Sequence, residues 1–394
     1  MSEPMHIDEI QAALRDEHLD GWLFFDHHQR DPLAYRILKL DPTRVVTRRW
    51  YYFIPTQGDP KGLVHAIEPG SLAGLPGDIR KYSSWTAQVE GLHHLLAGSR
   101  KIAMQYSPNC SIPYVSLVDG GTIELVRGAG VEVVTSANLV QLFEARWSAQ
   151  QLEMHLEAGR RVDRVRAEAF QKIAVAHAAN QAITEWDINR FIRARFEQAG
   201  LVTDHGPIVA VNANMSNPHY EPGAQGSSEI RKGDAVLLDM WAKLDQPSAV
   251  FYDITWTGFC GVSPPSALQN IFEVVRDARD RAIRRVQGAI PTGELIHGFD
   301  VDDAARTYIK EQGFGDYFVH RTGHSIGEEV HGTGANMDNL ETHDERRIIA
   351  GTCFSVEPGV YLPEFGIRSE VNVYVGANDA QVTGEVQRQL VTIQ

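Results

Sequence analysis

The sequence predicts a protein of the α+β class that is divided into two domains, and three observations support this prediction. The chain has 394 residues, whereas a single hydrophobic core usually stops growing at about 250–300 residues. Apolar residues make up 43% and charged residues 22%, which is the composition of a globular protein. Short strand-like runs separated by turns fill the first part of the chain, and long helix-like segments alternate with strands in the remainder.

The first predicted domain covers residues 1–147 and has a mixed α/β pattern. Its apolar runs are bounded by Pro, Gly and other turn residues, as is typical of short strands. The predicted strands are Gly21–Phe25, Tyr51–Ile54, Lys61–Ile67, Lys101–Met104 and Val131–Val134. The predicted helices are Trp85–Leu96 and Pro113–Val118.

The second predicted domain covers residues 148–394 and begins with a long amphipathic helix. Apolar residues recur at helical spacing from Gln150 to about Ala179, and Ser148 is a suitable N-cap. Three further helices are predicted from their capping residues: Thr184–Ala199, Ser266–Gln287 and Asp300–Gln312. The strands predicted around them are Pro207–Val211, Ala235–Trp241, Val250–Thr257, Thr352–Val356 and Gly366–Val375.

Composition excludes several classes of function. The formal net charge of −14 opposes binding to phosphate backbones, and no Lys/Arg-rich run occurs, so no nucleic-acid partner is expected. No run of about 18 apolar residues occurs, so no membrane span is expected. The cysteines, Cys110, Cys260 and Cys353, have no zinc-binding spacing, and their small number fits a reducing cytoplasm. Residues 1–10 lack the segments of a signal peptide, so we expect a cytoplasmic protein.

Four carboxylates occur inside apolar, strand-like runs of the second domain, at Asp239, Asp253, Glu357 and Glu370. One such residue alone is most simply a strand-end acid that faces solvent or forms a salt bridge. An ionised carboxylate among core residues is costly unless it is paired or bound to a metal ion. Arg368 is the only cation inside these runs, whereas two divalent cations would balance four negative charges. The pattern therefore predicts a binuclear metal site.

Histidines and glycines are concentrated between the Asp pair and the Glu pair. The segment 320–332 contains His320, His324 and His331, and its Gly residues allow the backbone to approach ligands closely. A lone His is usually a hydrogen-bonded core residue, but three in one Gly-rich segment indicate a site. The spacing differs from HExxH, so no zincin helix is predicted. A further candidate, His219, lies in a polar loop.

Taken in order, these stretches resemble the pita-bread metallopeptidases, which include Xaa-Pro dipeptidases, Xaa-Pro aminopeptidases and methionine aminopeptidases, with creatinase as a metal-free relative. The matching stretches are Leu237-Leu238-Asp239, Asp253-Ile254-Thr255, residues 320–331, Val356–Tyr361, Gly366–Glu370 and the His219 loop. The resemblance extends from about residue 150 to the end and implies a C-terminal pita-bread fold. The N-terminal α/β domain resembles that of the proline-specific members and of creatinase.

The resemblance implies that five side chains bind two divalent metal ions in each chain. Asp239 would bind one ion, and His324 and Glu357 would bind the other. Asp253 and Glu370 would bridge the two ions. A site made mainly of carboxylates with one imidazole prefers hard or borderline cations. We expect manganese, with cobalt, zinc or iron as alternatives.

Other side chains are expected to act in catalysis. Glu357 would accept a proton and return it to the leaving amine, in addition to binding metal. The resemblance places His219, His320 and His331 on the substrate side, where His219 and His331 would hold the substrate or stabilise the tetrahedral oxyanion. Arg368 would support the metal ligands. Thr255 would be a second support beside Arg368, and Tyr361 would form a wall of the site.

The function that the resemblance implies is hydrolysis of Xaa-Pro bonds in short peptides, as a dipeptidase or an aminopeptidase, by hydroxide held between the metal ions. The alternative is another amide or amidine hydrolase or a lyase on the same fold, such as a creatinase-like or cyclic-amide hydrolase, and a second alternative is a non-enzymatic binding module. The complete set of ligands favours a metal-dependent enzyme. The expected partners are a short peptide and a second copy of the chain in a homodimer.

Two features depart from the family pattern at the segment that joins the Asp residues. Asp239 and Asp253 are fourteen residues apart, which is longer than the usual hairpin, and Trp241 stands where Gly is usual. Trp256 replaces the Arg that often follows Asp-x-Thr. Both indoles are expected to influence the choice of substrate.

Overall fold

The computed structural model describes residues 7–394, which form two compact units. The described residues up to Glu144 form the first unit, and Ala145–Gln394 form the second. Each unit has its own clusters of buried apolar side chains, as expected for domains that fold around separate cores.

The first unit is a mixed β-sheet with helices on both faces. Its helices are α1 (Ile7–Asp16), α2 (Pro32–Leu38), α3 (Trp85–Leu95), α4 (Gly120–Arg127) and α5 (Ala137–Val140). Its strands are β1 (Gly21–Asp26), β2 (Trp50–Pro55), β3 (Lys61–His65), β4 (Asp78–Tyr82), β5 (Lys101–Met104) and β6 (Glu132–Thr135). Within residues 7–144 the strand order is β4-β3-β2-β1-β5-β6, with β1 antiparallel to β2 and parallel to β5.

The central strand β1 carries apolar side chains on both faces of this sheet. Trp22 and Phe24 pack in one buried cluster with residues of α1 and α2. Leu23 and Phe25 pack in another with residues of α3 and α4. Because helices cover both faces, the strand is a continuous apolar run and does not alternate between polar and apolar residues.

Several elements of this unit differ from the sequence prediction, which does not include α1, α2, β4, α4 or α5. The helix predicted at residues 113–118 is wrong, and only a short 3-10 turn forms at Pro113–Val115. The backbone N–H groups of Leu117 and Val118 both donate to the carbonyl of Gln105, which draws the chain away from a helical path. Conversely, α4 begins at two glycines that disfavour a helix. Asp119 caps it by accepting a hydrogen bond from the backbone of Thr122 at 2.9 Å.

The second unit combines four long helices with sheets of mainly antiparallel strands in the described residues. The helices are α6 (Ala149–Ala178), α7 (Glu185–Gln198), α8 (Ser266–Ala289) and α9 (Gly298–Glu311). The strands are β7 (Leu201–Val202), β8 (Ile208–Val211), β9 (Ala235–Leu244), β10 (Tyr252–Phe259), β11 (Ser325–Ile326), β12 (Cys353–Val356), β13 (Gly359–Tyr361), β14 (Gly366–Arg368), β15 (Val371–Val375), β16 (Ala380–Thr383) and β17 (Val391–Thr392). One sheet has the strand order β17-β10-β9-β7, and β8 also pairs with β9. A second sheet has the order β11-β12-β15-β16, and a third consists of β13 and β14. The predicted α+β class is confirmed.

The helix α6 begins and packs as its sequence predicts. Ser148 caps it, and the side chain of Gln151 closes a capping box by bonding back to the Ser148 backbone. One side of α6 is buried through Ala158, Val162 and Ile173, while charged residues occupy the other side. Across residues 7–394, no helix has both the length and the apolar character needed to cross a membrane.

Strands β9 and β10 present different clusters on their two faces because side chains alternate along a strand. The even-numbered residues Leu238 and Ile254 pack with residues of α6 and α7. The odd-numbered Ala235 and Leu237 pack with residues of α8 and α9. Odd positions farther along both strands therefore face the same side as α8 and α9, where the candidate site lies.

Candidate metal centre

The β9–β10 ladder places three polar side chains of the site on one face. Its register pairs Asp239 with Thr255 and Trp241 with Asp253. Residues directly opposite each other in an antiparallel ladder project on the same side of the sheet. Asp239, Asp253 and Thr255 are all buried, at 7%, 5% and 0% exposure. The ladder thus brings both predicted Asp ligands together away from solvent.

Glu357 and Glu370 lie next to strand ends. The strand predicted at Thr352–Val356 ends before Glu357 as expected, whereas the continuous strand predicted at Gly366–Val375 is wrong because it is interrupted at Glu370. Strand β12 ends at Val356, and Glu370 lies in the two-residue break between β14 and β15. The backbone N–H of Glu357 donates to the carbonyl of Thr322 at 2.7 Å, and that of Glu370 to the carbonyl of Thr255 at 3.1 Å. These bonds take each Glu out of its own ladder and hold it against a neighbouring segment of the site.

A close approach of two backbones positions His324. A Cβ atom on the preceding Gly323 would lie 1.9 Å from the carbonyl oxygen of Ser355, so a side chain at this position cannot be accommodated without movement. The backbone N–H of His324 donates to the hydroxyl of Ser355 at 2.9 Å. The glycine-rich character of the predicted segment therefore has a direct steric reason at this point.

The ring of His324 has the orientation that the predicted role of metal ligand requires. Its Nδ1 lies 3.1 Å from the carbonyl oxygen of Ser325, which can only accept, so Nδ1 carries the proton. Nε2 then has a free lone pair, and it faces carboxylate oxygens of Glu357 at 3.4 Å and Asp253 at 3.6 Å. Burial lowers the pKa of His324, which opposes a second proton at Nε2. Ligands that bind a cation at about 2.0–2.2 Å fit such separations.

Two carboxylate oxygens of the site lack a hydrogen-bond partner within the described residues. They are Oδ1 of Asp253 and Oε1 of Glu370, and both are buried. Ligand atoms of Asp253, Glu370 and His324 lie within 4.8 Å of one another. Buried acceptors without donors are unfavourable, whereas oxygen and imidazole donors suit a divalent metal ion. The residues therefore fit the metal site that the sequence predicts.

Burial raises the pKa of three of the four acids. The pKa of Asp239 rises to about 7, although a neighbouring guanidinium opposes the shift. Burial and neighbouring carboxylates raise the pKa values of Asp253 and Glu370 well above their ordinary range. Burial also opposes ionisation of Glu357, but the nearby histidines and arginine outweigh it and lower its pKa. The protein alone thus supplies too little positive charge for four ionised carboxylates.

Arg368 connects the acids through a chain of hydrogen bonds. Its Nη2 forms a short ion pair with Asp239, and its Nε donates to the hydroxyl of Thr255 at 3.0 Å. That hydroxyl lies 3.1 Å from Asp239 and 2.8 Å from Oε2 of Glu370. Nη1 of Arg368 donates to the phenol oxygen of Tyr361 at 3.3 Å. Arg368 and Thr255 therefore fix the orientation of two carboxylates.

His320 extends this chain of hydrogen bonds, and neither of its ring nitrogens is free to contact a substrate. Its Nδ1 lies 2.7 Å from the carbonyl of Arg321 and must donate, so Nε2 accepts the proton of the Tyr361 hydroxyl at 2.7 Å. Burial lowers the pKa of His320 to about 4, so the ring is neutral at pH 7. These contacts give His320 a supporting role through Tyr361, in place of the role expected on the substrate side.

His331 and His219 are the more accessible of the predicted histidines. The ring of His331 packs edge-on against that of His324, with 4.4 Å between ring centroids, and an edge of it stays exposed. Partial desolvation and the neighbouring His324 lower the pKa of His331 to about 4. His219 is exposed in the loop between β8 and β9, and the carbonyl of the adjacent Pro218 accepts from Arg368 at 3.4 Å. Both histidines are thus associated with residues of the site.

Two polar residues that the sequence does not single out hold predicted metal ligands in place. The hydroxyl of Ser355 donates to Oε1 of Glu357 at 3.0 Å. The side chain of Asn372 accepts from the backbone N–H of Asp253 at 3.2 Å and donates to its carbonyl at 2.8 Å. The spacing of Ser355 two residues before Glu357 is a signal that could have indicated the first contact.

Glu185 anchors the loop that carries His219. Its carboxylate is fully buried, although it lies in the first turn of α7, where an acid usually faces solvent. It accepts hydrogen bonds of 2.6–2.8 Å from groups at both ends and in the middle of this loop: Val211 N, Asn214 Nδ2, Tyr220 Oη and Ser228 N. A single side chain therefore fixes the path of residues 211–228.

The two tryptophans that depart from the family pattern lie on opposite faces of the ladder. Trp256 faces α6, where the guanidinium carbon of Arg166 lies 3.5 Å from its ring centroid. Trp241 lies on the face of Asp239 and Asp253 and is half-buried. The expected influence on the site therefore applies to Trp241, and Trp256 is part of the packing of α6.

Comparison with solved structures supports the architecture along almost the whole chain. The dipeptidase PepE from Mycobacterium ulcerans has a TM-score of 0.67 and 22% identity, covering 98% of this chain and 96% of that one. The X-Pro aminopeptidase from Thermotoga maritima MSB8 has a TM-score of 0.58 and 19% identity, covering 96% and 100%. At these identities the likeness establishes the fold alone, and it confirms the expected pita-bread architecture.

Sequence comparison gives the family. The Xaa-Pro dipeptidase of Pyrococcus furiosus is 31% identical over 221 residues, which cover 54% of this chain and 58% of that protein. The match thus spans little more than half the length of this curated relative. The profile of metallopeptidase family M24 matches residues 153–377, which is more than half of the chain and includes the five predicted metal ligands. The chain therefore belongs to metallopeptidase family M24.

Proposed function

We propose that this chain is a metal-dependent hydrolase that cleaves Xaa-Pro bonds of short peptides. Membership of a metallopeptidase family implies divalent metal ions. The observation that carries the proposal is the unprotonated Nε2 of His324, which faces carboxylates of Glu357 and Asp253 at 3.4 and 3.6 Å. A lone pair buried against carboxylate oxygens is unfavourable by itself and becomes favourable around a cation.

The proposed site binds two cations through five residues: Asp239, Asp253, His324, Glu357 and Glu370. The two buried oxygens without hydrogen-bond donors support this assignment, as does the balance between four carboxylates and two divalent ions. Manganese is the proposed metal because the donors are mainly carboxylate oxygens, and cobalt, zinc and iron are the alternatives.

Glu357 is the proposed proton carrier of the reaction. When bound, the cations polarise the scissile carbonyl and make hydroxide available at neutral pH. The lowered pKa of Glu357 keeps its carboxylate ionised and ready to accept a proton. The hydrogen bond from Ser355 at 3.0 Å orients the carboxylate. Glu357 would then pass the proton to the leaving nitrogen.

His331 is the proposed donor to the substrate carbonyl oxygen. Its lowered pKa keeps the imidazole neutral at pH 7, with one N–H to donate and no charge to repel the cations. Its ring makes no hydrogen bond within the described residues, so that N–H is available to a ligand. A donor directed at the developing oxyanion is worth more in the transition state than in the ground state. We place His219 beside the substrate on its loop.

Proline specificity is supported by the relatives and by the chemistry of the bond. The curated relative with 31% identity carries the name Xaa-Pro dipeptidase. A bond to proline is a tertiary amide without an N–H group, so the ring nitrogen must receive a proton as it leaves. Glu357 beside the metal ligands can supply that proton.

We further propose a homodimer located in the cytoplasm. The resemblance to dimeric enzymes supports the dimer. The unpaired cysteines, of which Cys260 and Cys353 are buried, suit a reducing compartment. Sedimentation velocity should give a dimer at micromolar concentration, and a fully active monomer would contradict the assembly.

A peptide panel tests the proposed activity. Protein stripped with a chelator and reloaded with Mn²⁺ should cleave Ala-Pro and Ala-Pro-Ala and should leave Ala-Ala and Ala-Ala-Ala largely intact. Glu370→Gln should abolish cleavage, whereas Glu311→Gln, which removes an exposed carboxylate at the end of α9, should keep wild-type rates. Equal rates on the two series would remove the proline claim. Absence of cleavage by metal-loaded protein would overturn the peptidase proposal.

A further inference from the structure

Trp241 forms a wall beside the proposed metal ligands. Its register partner in β10 is Asp253, and the Cβ atoms of such partners lie about 4.5–5.5 Å apart. The indole packs partly against the apolar clusters on the site-facing side of the sheet. Because it is only half-buried, part of the ring remains available to a ligand next to the carboxylate of Asp253.

Asp204 lies at the outer edge of this indole, in the exposed loop between β7 and β8. Its Oδ1 accepts hydrogen bonds from Nε1 of Trp241 at 2.7 Å and from the backbone N–H of His205 at 2.8 Å. Within the described part of the chain, its Oδ2 makes no hydrogen bond and no Lys or Arg pairs with it. The carboxylate is thus held in place with one oxygen free.

Asp204 is linked to the site through Trp241, because the indole that donates to its carboxylate is the register partner of Asp253. A short peptide has an ammonium group at one end and a carboxylate at the other. An unpaired carboxylate attracts the first and repels the second. The carboxylate of Asp204 would therefore favour the amino-terminal end of a bound peptide on its side of the site.

We propose that Trp241 and Asp204 form the subsite for the side chain before the scissile bond, and that this subsite selects lysine or arginine. The inference rests on the proposed peptidase function. The apolar stem of a long basic side chain would lie along the indole face. Its cationic head would pair with the free Oδ2 of Asp204. An aromatic surface that ends in a fixed carboxylate matches such a side chain in both shape and charge.

The test compares kcat/KM for Lys-Pro and Met-Pro, whose amino-terminal side chains are both unbranched and differ in charge. Wild-type enzyme should prefer Lys-Pro by about fivefold, the upper end for an ion pair open to solvent. Asp204→Asn should bring the ratio close to one, and Asp204→Lys should reverse it and should favour Glu-Pro. Both values of kcat/KM in a ratio are measured on the same preparation of a variant. A partial loss of folded protein therefore lowers both values equally and leaves the ratio unchanged.

Two further variants separate charge from packing. Trp241→Phe keeps an aromatic wall but removes the N–H that holds Asp204, so the ratio of kcat/KM for Lys-Pro to that for Met-Pro should fall. Glu311→Gln is the matched control, because it removes the same charge from an exposed position on α9. It should leave the Lys-Pro to Met-Pro ratio unchanged. A ratio that falls equally in the control would contradict a specific role of Asp204.

The outcomes distinguish the subsite from the proposed function. Cleavage of Lys-Pro and Met-Pro with equal kcat/KM by the wild type would overturn the subsite and leave the peptidase function standing. If no Xaa-Pro peptide is cleaved, the function fails, and isothermal titration calorimetry with the same two dipeptides decides the subsite. Weaker binding of Lys-Pro to Asp204→Asn, by about fivefold, supports it. Absence of binding, or equal binding to both proteins, overturns it.

Discussion

Removal of the divalent cations should destabilise the protein, and the loss should grow as the pH rises from about 5.5 to about 8. The reason is that the pKa values of Asp239, Asp253 and Glu370 are raised by burial in the metal-free fold. Such a carboxyl keeps its proton in the folded chain after the unfolded chain has lost it. Its stabilising contribution is complete below the unfolded pKa and is lost as the pH rises through the folded pKa.

Asp239 gives the magnitude of this effect. Its pKa rises from the ordinary value of 3.8 to about 7. At about 1.4 kcal/mol for each pKa unit, this carboxyl alone should cost the metal-free protein roughly 2 kcal/mol of stability between pH ~5.5 and ~7. For a domain of this size, that corresponds to a fall in Tm of roughly 4–8 °C. The effect of Glu357 on stability has the opposite sign, because its pKa is lowered. Its contribution to the free energy of unfolding is lost only as the pH falls below 4.5.

Thermal unfolding followed by circular dichroism measures the effect in chelated and Mn²⁺-loaded protein. The loaded protein should gain stability as the pH rises, because cations bind the deprotonated ligands. The difference in Tm between the two forms should therefore widen toward pH ~8. Glu370→Gln, a neutral isostere of the protonated acid, should reduce the pH dependence of the chelated form. A difference in Tm that is constant or narrows with pH would refute the reasoning.

Three further substitutions separate metal binding, turnover and loop position. Asp253→Asn removes a buried ligand and should lower bound metal, measured by elemental analysis, together with activity; retention of two ions per chain would contradict the assignment. His331→Ala should keep the metal content while kcat falls by about 10²–10³, the usual cost of losing one oxyanion donor; an emptied site would make His331 a ligand. Glu185→Gln should lower kcat/KM by relaxing residues 211–228, and this effect should vanish in a His219→Ala background. Additive effects of the last two substitutions would show that Glu185 does not act through His219.

The buried carboxylates proposed as metal ligands were the part of the site that the sequence could indicate. Asp239 and Asp253 stand out because a carboxylate inside a run of core residues requires a partner, and no cation nearby in sequence provides enough charge. Glu357 and Glu370 stand out for the same reason. The strand break at Glu370 could not be predicted, because it depends on a backbone hydrogen bond to Thr255, which is distant in the sequence.

The other features of the site could not be predicted, because they depend on contacts between side chains that are distant in the sequence. His320 is in a ligand-rich segment, but its role depends on Tyr361, which only the fold brings to its Nε2. Glu185 has the sequence features of an acid in the first turn of a helix, yet its carboxylate turns inward to the loop donors. Trp241 and Trp256 could have been assigned to opposite faces by counting from Asp239 and Thr255. Which face holds the site follows only from the packing of α6.

Titration of chelated protein with Mn²⁺ is the clearest test that the buried carboxylates and His324 hold two catalytic cations. The initial rate of Ala-Pro cleavage and the bound metal are measured in the same samples. The stripped protein should be inactive, and the rate should rise with added cation to a plateau at two equivalents per chain. Full activity in stripped protein, or a rate that does not change as the cation is added, would contradict a metal-dependent site.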